Sequence, residues 1–566
     1  MPDALDCELL VIGGGSTGAG VAWDAALRGL QVILVDRSDL ATGTTGRFHG
    51  LLHSGARYVV RDPAGARDCA RENAVLRRVA APALEDTGGL FVTTPLDDVE
   101  YSNHFLAACP AAEVPVEEIP PAEALRREPR LNPAIRRAFS VRDASVDSWK
   151  LVWACAGGAR ELGARILPYH PVLALLRDGS RVTGARLRDL RGDRELEVRA
   201  ECVVNAGGAW GGRIAGLAGL HVGVRPGKGV MVAVNHRLAG AVVNRCHLTG
   251  DGDIVVPSHS VSIIGTTDTA VEDPDDVEPT AAEVAAMLDA GDALLPGLSR
   301  ARALRVWGGA RPLLPRTEGP GIDHRAISRS HSVIRHSQVD GMAGLVTIVG
   351  GKLTTFRLMA EDTVDAVCQE LGTDRRCATA ETPIPVDGPH GHHRLSHRAE
   401  AFEHRLERSD GTDPLVCECE MVPRSELLAA ARTHPGSDLD DLRRLLRIGM
   451  GPCQGGFCTF RTAAILHEAG LLDATRAVSV LLSFVEERWK GQRSVLWGQQ
   501  LRQAHLDEWI FQGSLDLEHL PETSAPQSTR AQEPLPNGRD PLGRPLGTAT
   551  AQDDRIASPP GPEPEP

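Results

Sequence analysis

The chain has no apolar run of the ~18 residues needed to cross a bilayer. A small amphipathic face for peripheral attachment stays possible. Its first residues, "MPDALDCELLVIGGG", carry no basic segment followed by an apolar core, so no secretory signal peptide is expected here. Net positive charge is also missing. The formal charge is −14, which disfavours nucleic acid as a partner while leaving room for a local basic pocket around a small anion. Cysteine is sparse, 12 in 566 residues, too few for a disulfide scaffold. Eight of them (Cys7, Cys69, Cys109, Cys155, Cys202, Cys246, Cys368 and Cys377) are scattered and read as small buried hydrophobes.

What is present begins with a βαβ unit over residues 8–36. "ELLVIGGG" is an apolar strand ending in glycines. "STGAGVAWDAALRG" has small and apolar residues at helical spacing and stops at Gly29, and "LQVILVD" is a second buried strand. Strands and helices then alternate to about residue 375. The expected fold is α/β and α+β: a Rossmann-type domain with an interleaved β-rich domain, both within 1–375, plus a small helical Cys-bearing domain. Residues 376–411, rich in Pro, Gly and His, read as a linker. The Cys module is expected over 412–480, a helical extension over 481–521, and a disordered Pro-rich tail over 522–566.

"GGGSTG" places Gly13, Gly15 and Gly18 in G-x-G-x-x-G spacing between the first strand and the helix. Gly13 permits the tight turn, Gly15 lets backbone approach a pyrophosphate, and Gly18 allows close helix–strand packing. Asp36 ends the second strand, placed to accept hydrogen bonds from a ribose hydroxyl. Strand, helix, second strand and acid together make this a dinucleotide site. They do not by themselves separate FAD from NAD.

The following stretches resemble the FAD-dependent glycerol-3-phosphate dehydrogenases, of the glutathione-reductase-type flavoprotein superfamily: "DLATGTTGRFHGLLHSGARY" (39–58), "VVNAGGAWGGRIA" (203–215), "IIGTTDT" (263–269), "WGGARPL" (307–313) and "VGGKLTTFRLMAEDTVDAVC" (349–368). The resemblance implies that Gly13, Gly15, Gly18 and Asp36 hold the ADP half of FAD, and that Thr44, Thr45 and His53 line the flavin. Val172 would meet the adenine, and Ala206, Gly207 and Trp210 the pyrophosphate. Gly351, Lys352, Leu353 and Thr354 would set a helix N-terminus at the flavin edge. It also implies Arg57, Tyr58, Arg311 and Lys352 around sn-glycerol 3-phosphate, with Arg57 and Arg311 gripping phosphate or hydroxyl oxygens by forked hydrogen bonds. The reaction needs a base for the C2 hydroxyl. The single-subunit membrane enzymes carry a pocket histidine where this chain has Met231, so His53 becomes the first candidate. The expected catalytic set is His53, Arg57, Arg311 and Lys352.

Four cysteines remain. "VCECEM" supplies Cys417 and Cys419, and "GMGPCQGGFC" supplies Cys453 and Cys458. Zinc sites usually carry two to four residues between paired cysteines. A one-residue spacer suits two thiolates on one iron, and the four glycines Gly449, Gly451, Gly455 and Gly456 let backbone approach. The module resembles the bacterioferritin-associated-ferredoxin-type 2Fe-2S domain. Flavin domain and Cys module together resemble the FAD-containing A subunits of the anaerobic glycerol-3-phosphate dehydrogenases. That implies three partners: a second flavoprotein subunit, an Fe–S membrane-anchor subunit, and menaquinone as final acceptor. It also implies a cytoplasmic chain, peripheral on the membrane. Two other readings stand beside it: a flavin dehydrogenase of an amino or hydroxy acid, and an electron-transfer partner with a vestigial flavin site.

Overall fold

The computed structural model describes residues 3–248, 250–315, 330–385, 403 and 413–514. The expected tail lies outside them, as does most of the expected linker.

Strand Asp3–Ile12 is the centre of the first sheet. It pairs in parallel with Val32–Val35 on one side and with Arg194–Asn205 on the other. The sheet has eight strands, continued by Arg165–Leu167 at one edge and by the antiparallel Arg181–Asp189 and Val172–Asp178 at the other. Leu345–Gly350 joins in parallel at the end of Arg194–Asn205. Helix Ser16–Leu27 is buried almost all round, as its small and apolar composition requires. It packs between the sheet and the helices Ser148–Glu161 and Phe356–Leu371, in a core with Leu9, Val11, Trp23 and Phe356. Its one buried acid, Asp24, is neutralised by Arg28 at 2.6 Å.

A second sheet has nine strands. Its long antiparallel pair, Arg225–Val234 with Ala303–Leu313, sets Gly227 opposite Arg311 and Met231 opposite Trp307. A three-stranded sheet, with Ala144–Val146 between Leu51–Leu52 and Leu84–Glu85, anchors the segment that carries His49 and His53.

The Cys module has its own core of Val416, Leu427, Leu442, Leu466 and Phe484. Helix Leu439–Leu446 leans on Ser148–Glu161. The boundary expected between 480 and 481 falls inside one continuous helix, Ala474–Gln492. That helix packs on strand Ala303–Leu313, and Val495 enters the core of the second sheet, so the extension belongs to both bodies. Trp497 packs there too, whereas Trp489 and Trp509 are exposed. Of the eight scattered cysteines, all but the half-buried Cys377 are buried. Burial pushes thiols such as Cys155 and Cys202 up to about 12, which keeps them inert. Among the described residues no helix is long and apolar enough to cross a membrane.

Candidate active site

One cavity of about 1190 Å³ runs from the glycine loop past the second sheet to the Cys module. The turn after the first strand shapes one end. Gly13 has φ +110°, and a Cβ there would lie 2.5 Å from the Ala206 carbonyl oxygen. A Cβ on Gly18 would lie 1.8 Å from the Gly13 carbonyl, so only glycine fits. Asp36 accepts from the Gly14 N–H at 2.7 Å and from the Ser38 N–H at 2.9 Å. Its carboxylate therefore braces the loop, a task the sequence alone did not assign to it. Thr45 Oγ1 accepts from the Ser16 N–H at 3.0 Å, and Thr44 donates to the Ala310 carbonyl at 2.5 Å. These two threonines stitch the flavin-side loop to the helix start and to the second sheet. Val172, Ala206, Gly207, Trp210, Gly351, Lys352, Leu353 and Thr354 all line the same cavity. A backbone N–H cradle at a helix start, with positions that admit no side chain, fits a dinucleotide.

The cationic wall is made by Arg57, Arg311 and Lys352, with Tyr58 beside them. Arg57 donates from Nη2 alone to both oxygens of the buried Asp253, at 2.6 Å each. Its Nη1 and Nε have no protein acceptor among the described residues and remain for a ligand. The guanidinium and His247 hold the Asp253 carboxyl down at about 2 despite burial. Arg311 is anchored to the sheet by Asp268 at 3.0 Å, by the Thr267 carbonyl at 2.8 Å and by Thr266 Oγ1 at 2.5 Å. Lys352 Nζ sits 4.5 Å from the centre of the Tyr58 ring.

His53 is buried, its ring 5.1 Å from that of Tyr58, and its backbone N–H donates to Thr354 Oγ1 at 2.9 Å. Its Nδ1 has no hydrogen-bond partner among the described residues. Burial, then His49, Arg57 and Lys352, push its pKa well below the usual histidine value. His49 is a residue that sequence reasoning missed. Its Nδ1 accepts the Leu51 N–H at 3.2 Å, which fixes the neutral ring with its proton on Nε2. Burial and the charges of Arg57 and Arg311 hold it down at about 3. A Cβ on Gly265 would touch both Met231 and His49, so His49 stands next to Met231. The spacing of "HGLLH" was the available signal; the short strand Leu51–Leu52 brings both imidazoles to the cavity wall.

In the Cys module, outside the lining of that cavity, the four thiols gather in a row. Cys419 Sγ and Cys453 Sγ are 3.8 Å apart, Cys453 also contacts Cys458, and Cys458 contacts Cys417. Each thiol of the Cys-x-Cys pair thus faces one of the Cys-x4-Cys pair. Among the described residues no three His, Cys, Asp or Glu side chains close around one ion. At 3.8 Å, Cys419 Sγ and Cys453 Sγ are close enough for both to reach one metal ion at thiolate–metal bonds of about 2.3 Å, a pairing across the two motifs and not within Cys417-x-Cys419. Gly451 is required, since a Cβ there would lie 2.3 Å from Cys419 Cβ. Two guanidiniums attend the row. Arg302 donates to the Pro452 carbonyl at 2.5 Å, and Arg488 lies within the field of Cys453 and Cys458 with its buried Nε lacking a partner among the described residues. Arg488 is buried and pairs with Asp507 at 3.0 Å, yet keeps that Nε donor unused; such a cation beside four thiols fits an anionic thiolate cluster.

Similarity to known proteins agrees with this geometry. Residues 8–357 match the family model described as FAD dependent oxidoreductase. The chain belongs to that family. It is 41% identical over 539 residues to the A subunit of the anaerobic glycerol-3-phosphate dehydrogenase of Escherichia coli (strain K12), covering 91% of this chain and 98% of the relative. It is likewise 41% identical to the A1 subunit of the Haloferax volcanii enzyme, over 91% of each chain. Within the family it therefore groups with the A subunits. The glycerol-3-phosphate dehydrogenase from Bacillus halodurans complexed with FAD shares the fold, with a TM-score of 0.54 at 23% identity over 91% of this chain and 88% of that one.

Proposed function

We propose that this chain oxidises sn-glycerol 3-phosphate to dihydroxyacetone phosphate with FAD. Cys417, Cys419, Cys453 and Cys458 would hold a 2Fe-2S cluster, which would supply one-electron chemistry toward a quinone-linked partner. Carrying this reading is the meeting of three cations and two neutral imidazoles on the wall of the cavity that also holds the glycine loop.

FAD, when bound, supplies the two-electron acceptor for the hydride on C2. The protein does the rest. The cationic wall offsets the roughly two negative charges of the phosphate monoester in an otherwise acidic chain. Arg57, pinned by Asp253 through one nitrogen, offers its remaining donors without having to reorganise. His49 presents an Nε2–H and so orients an oxygen rather than taking a proton. His53 is held neutral and accepts the proton of the C2 hydroxyl; the incoming dianion counters the cations that depress its basicity. The exit through the cluster is supported by the row of thiols with Arg302 and Arg488 beside it, on a module that borders the same cavity. The A-type relatives are named as subunits, which supports a complex with further subunits. A membrane-anchored partner and menaquinone as final acceptor belong to the proposed route alone.

The test is an anaerobic absorption spectrum before and after adding sn-glycerol 3-phosphate, with an amino acid and a hydroxy acid as parallel additions. Flavin bleaching by the phosphate alone is expected. Bleaching by an amino or hydroxy acid with no response to the phosphate would defeat the substrate assignment.

A further inference from the structure

The cavity wall nearest the adenosine side of the glycine loop is not made by the flavin domain alone. Asp438, Asp440, Arg443 and Arg444 of the Cys module line the same space. Arg444 Nε lies 2.6 Å from Asp39 Oδ2, and its Nη2 lies 2.6 Å from Asp441 Oδ1. Asp441 accepts in turn from the Tyr169 hydroxyl, and from Arg191 at 2.6 Å. The Arg191 guanidinium caps the Tyr169 ring at 3.9 Å. Side-chain exposure is 12% for Arg444, 3% for Asp39 and 5% for Asp441, so this is a buried charge network.

Of its flavin-domain members, Arg191 sits in the turn after Arg181–Asp189, whereas Asp39 and Tyr169 sit on the loops that follow strands Val32–Val35 and Arg165–Leu167. Those loops are tied to each other: Tyr169 N–H donates to the Ser38 carbonyl at 3.0 Å, and His170 N–H to the Asp36 carbonyl at 2.6 Å. The residues after Asp39 reach the glycine loop itself. Ala41 N–H donates to the Gly14 carbonyl at 2.9 Å, and Leu40 packs where a Cβ on Gly14 would lie, 2.3 Å from its Cδ2. Three short links therefore join Arg444 to the backbone that cradles the pyrophosphate. Breaking a buried pair from one side leaves a carboxylate uncompensated, so the Asp39 loop would relax without Arg444.

We propose that Arg444 is a positioning residue for the dinucleotide: the Cys module closes the adenosine side of the site, and FAD affinity depends on the Arg444–Asp39 contact. This rests on the reading of the cavity as an FAD site. A pair that merely fastened two bodies together would alter melting temperature and leave FAD affinity alone.

Full-length protein stripped of flavin and titrated with FAD, followed by quenching of flavin fluorescence, separates these cases. Arg444→Gln is expected to weaken FAD binding at least tenfold while leaving the KM for substrate unchanged at saturating FAD. Arg444→Lys should fall between, since a point charge reaches Asp39 but cannot span both acids. Asp39→Asn should lose affinity as well, and the double variant should lose no more than the worse single one. Unchanged FAD affinity in Arg444→Gln, or losses that simply add in the double variant, would overturn the proposal. If Arg444→Gln fails to fold, Arg444→Lys and Asp39→Asn decide by the same criteria. Wild-type protein that takes up no FAD would instead overturn the reading of the cavity, and the proposal with it.

Discussion

The flavin end of the protein and its cysteine end both handle negative charge, by opposite means. At the flavin end the anion-binding surface is backbone: a glycine turn, a helix N-terminus, and a carboxylate, Asp36, spent on holding the turn. At the cysteine end it is side chain: four thiols with Arg302 and Arg488 brought in from elements more than a hundred residues apart. A backbone site is fixed by local geometry and tolerates no added atom. A side-chain site is fixed by packing at long range and tolerates isosteric change better. The difference can be broken or sharpened by experiment.

The largest effect belongs to the backbone site. Gly18→Val should abolish FAD retention, because the first added carbon already collides with the Gly13 carbonyl; flavin content of the purified protein reads this out. Next come the substrate cations. Arg311→Ala and Arg57→Lys should each lower kcat/KM by about 30- to 5000-fold, the range for losing a charge-assisted contact of 2–5 kcal/mol, with flavin content retained. Equal loss of flavin would remove both from the substrate site. In the cysteine row, Cys453→Ser should lower bound iron and acid-labile sulfide several-fold. Substrate should still bleach the flavin anaerobically in that variant, since the two ends are separate sites. Bleaching that disappears with the iron would show the two ends to be one unit.

His49 gives a smaller change. His49→Ala should lower kcat/KM about tenfold, a neutral hydrogen bond of ~1.4 kcal/mol. His49→Asn, which keeps an N–H donor, should recover most of that; an Asn variant as poor as Ala would argue against the donor role. The smallest effect is on stability against acid. The folded pKa of His49 is depressed to about 3 from an ordinary 6.5. Below pH 6.5 the unfolded chain therefore binds a proton that the folded chain refuses. Stability should be full above pH 6.5 and decline as pH falls toward 3, by at most about 1.4 kcal/mol per unit for this group. Its ring lines the cavity, so solvent screening reduces the slope. Denaturant midpoints of wild type and His49→Asn between pH 7 and 5 measure it.

The unit of strand, glycine turn, helix, strand and acid was legible in the sequence because each step is decided by residues within thirty positions. Cys417, Cys419, Cys453 and Cys458 were legible as a group from spacing and type. Arg57, Arg311 and Lys352 were legible only through family resemblance, since an arginine in isolation reads as a surface charge. His49 escaped because its role depends on a hydrogen bond to Leu51 N–H and on two distant guanidiniums. The end of the Cys module was misplaced because helix Ala474–Gln492 packs on both bodies and leaves no composition break at residue 480.

By itself the sequence determined the dinucleotide turn, the thiol set and the absence of a long apolar span among the described helices, all properties of short segments and bulk composition. Only the tertiary structure decided which donors of Arg57 stay uncommitted, that His49 stands beside Met231, and that Arg444 reaches Asp39 across 405 positions. Those outcomes depend on burial and on charges brought together by folding, and neither is a property of residues near one another along the chain.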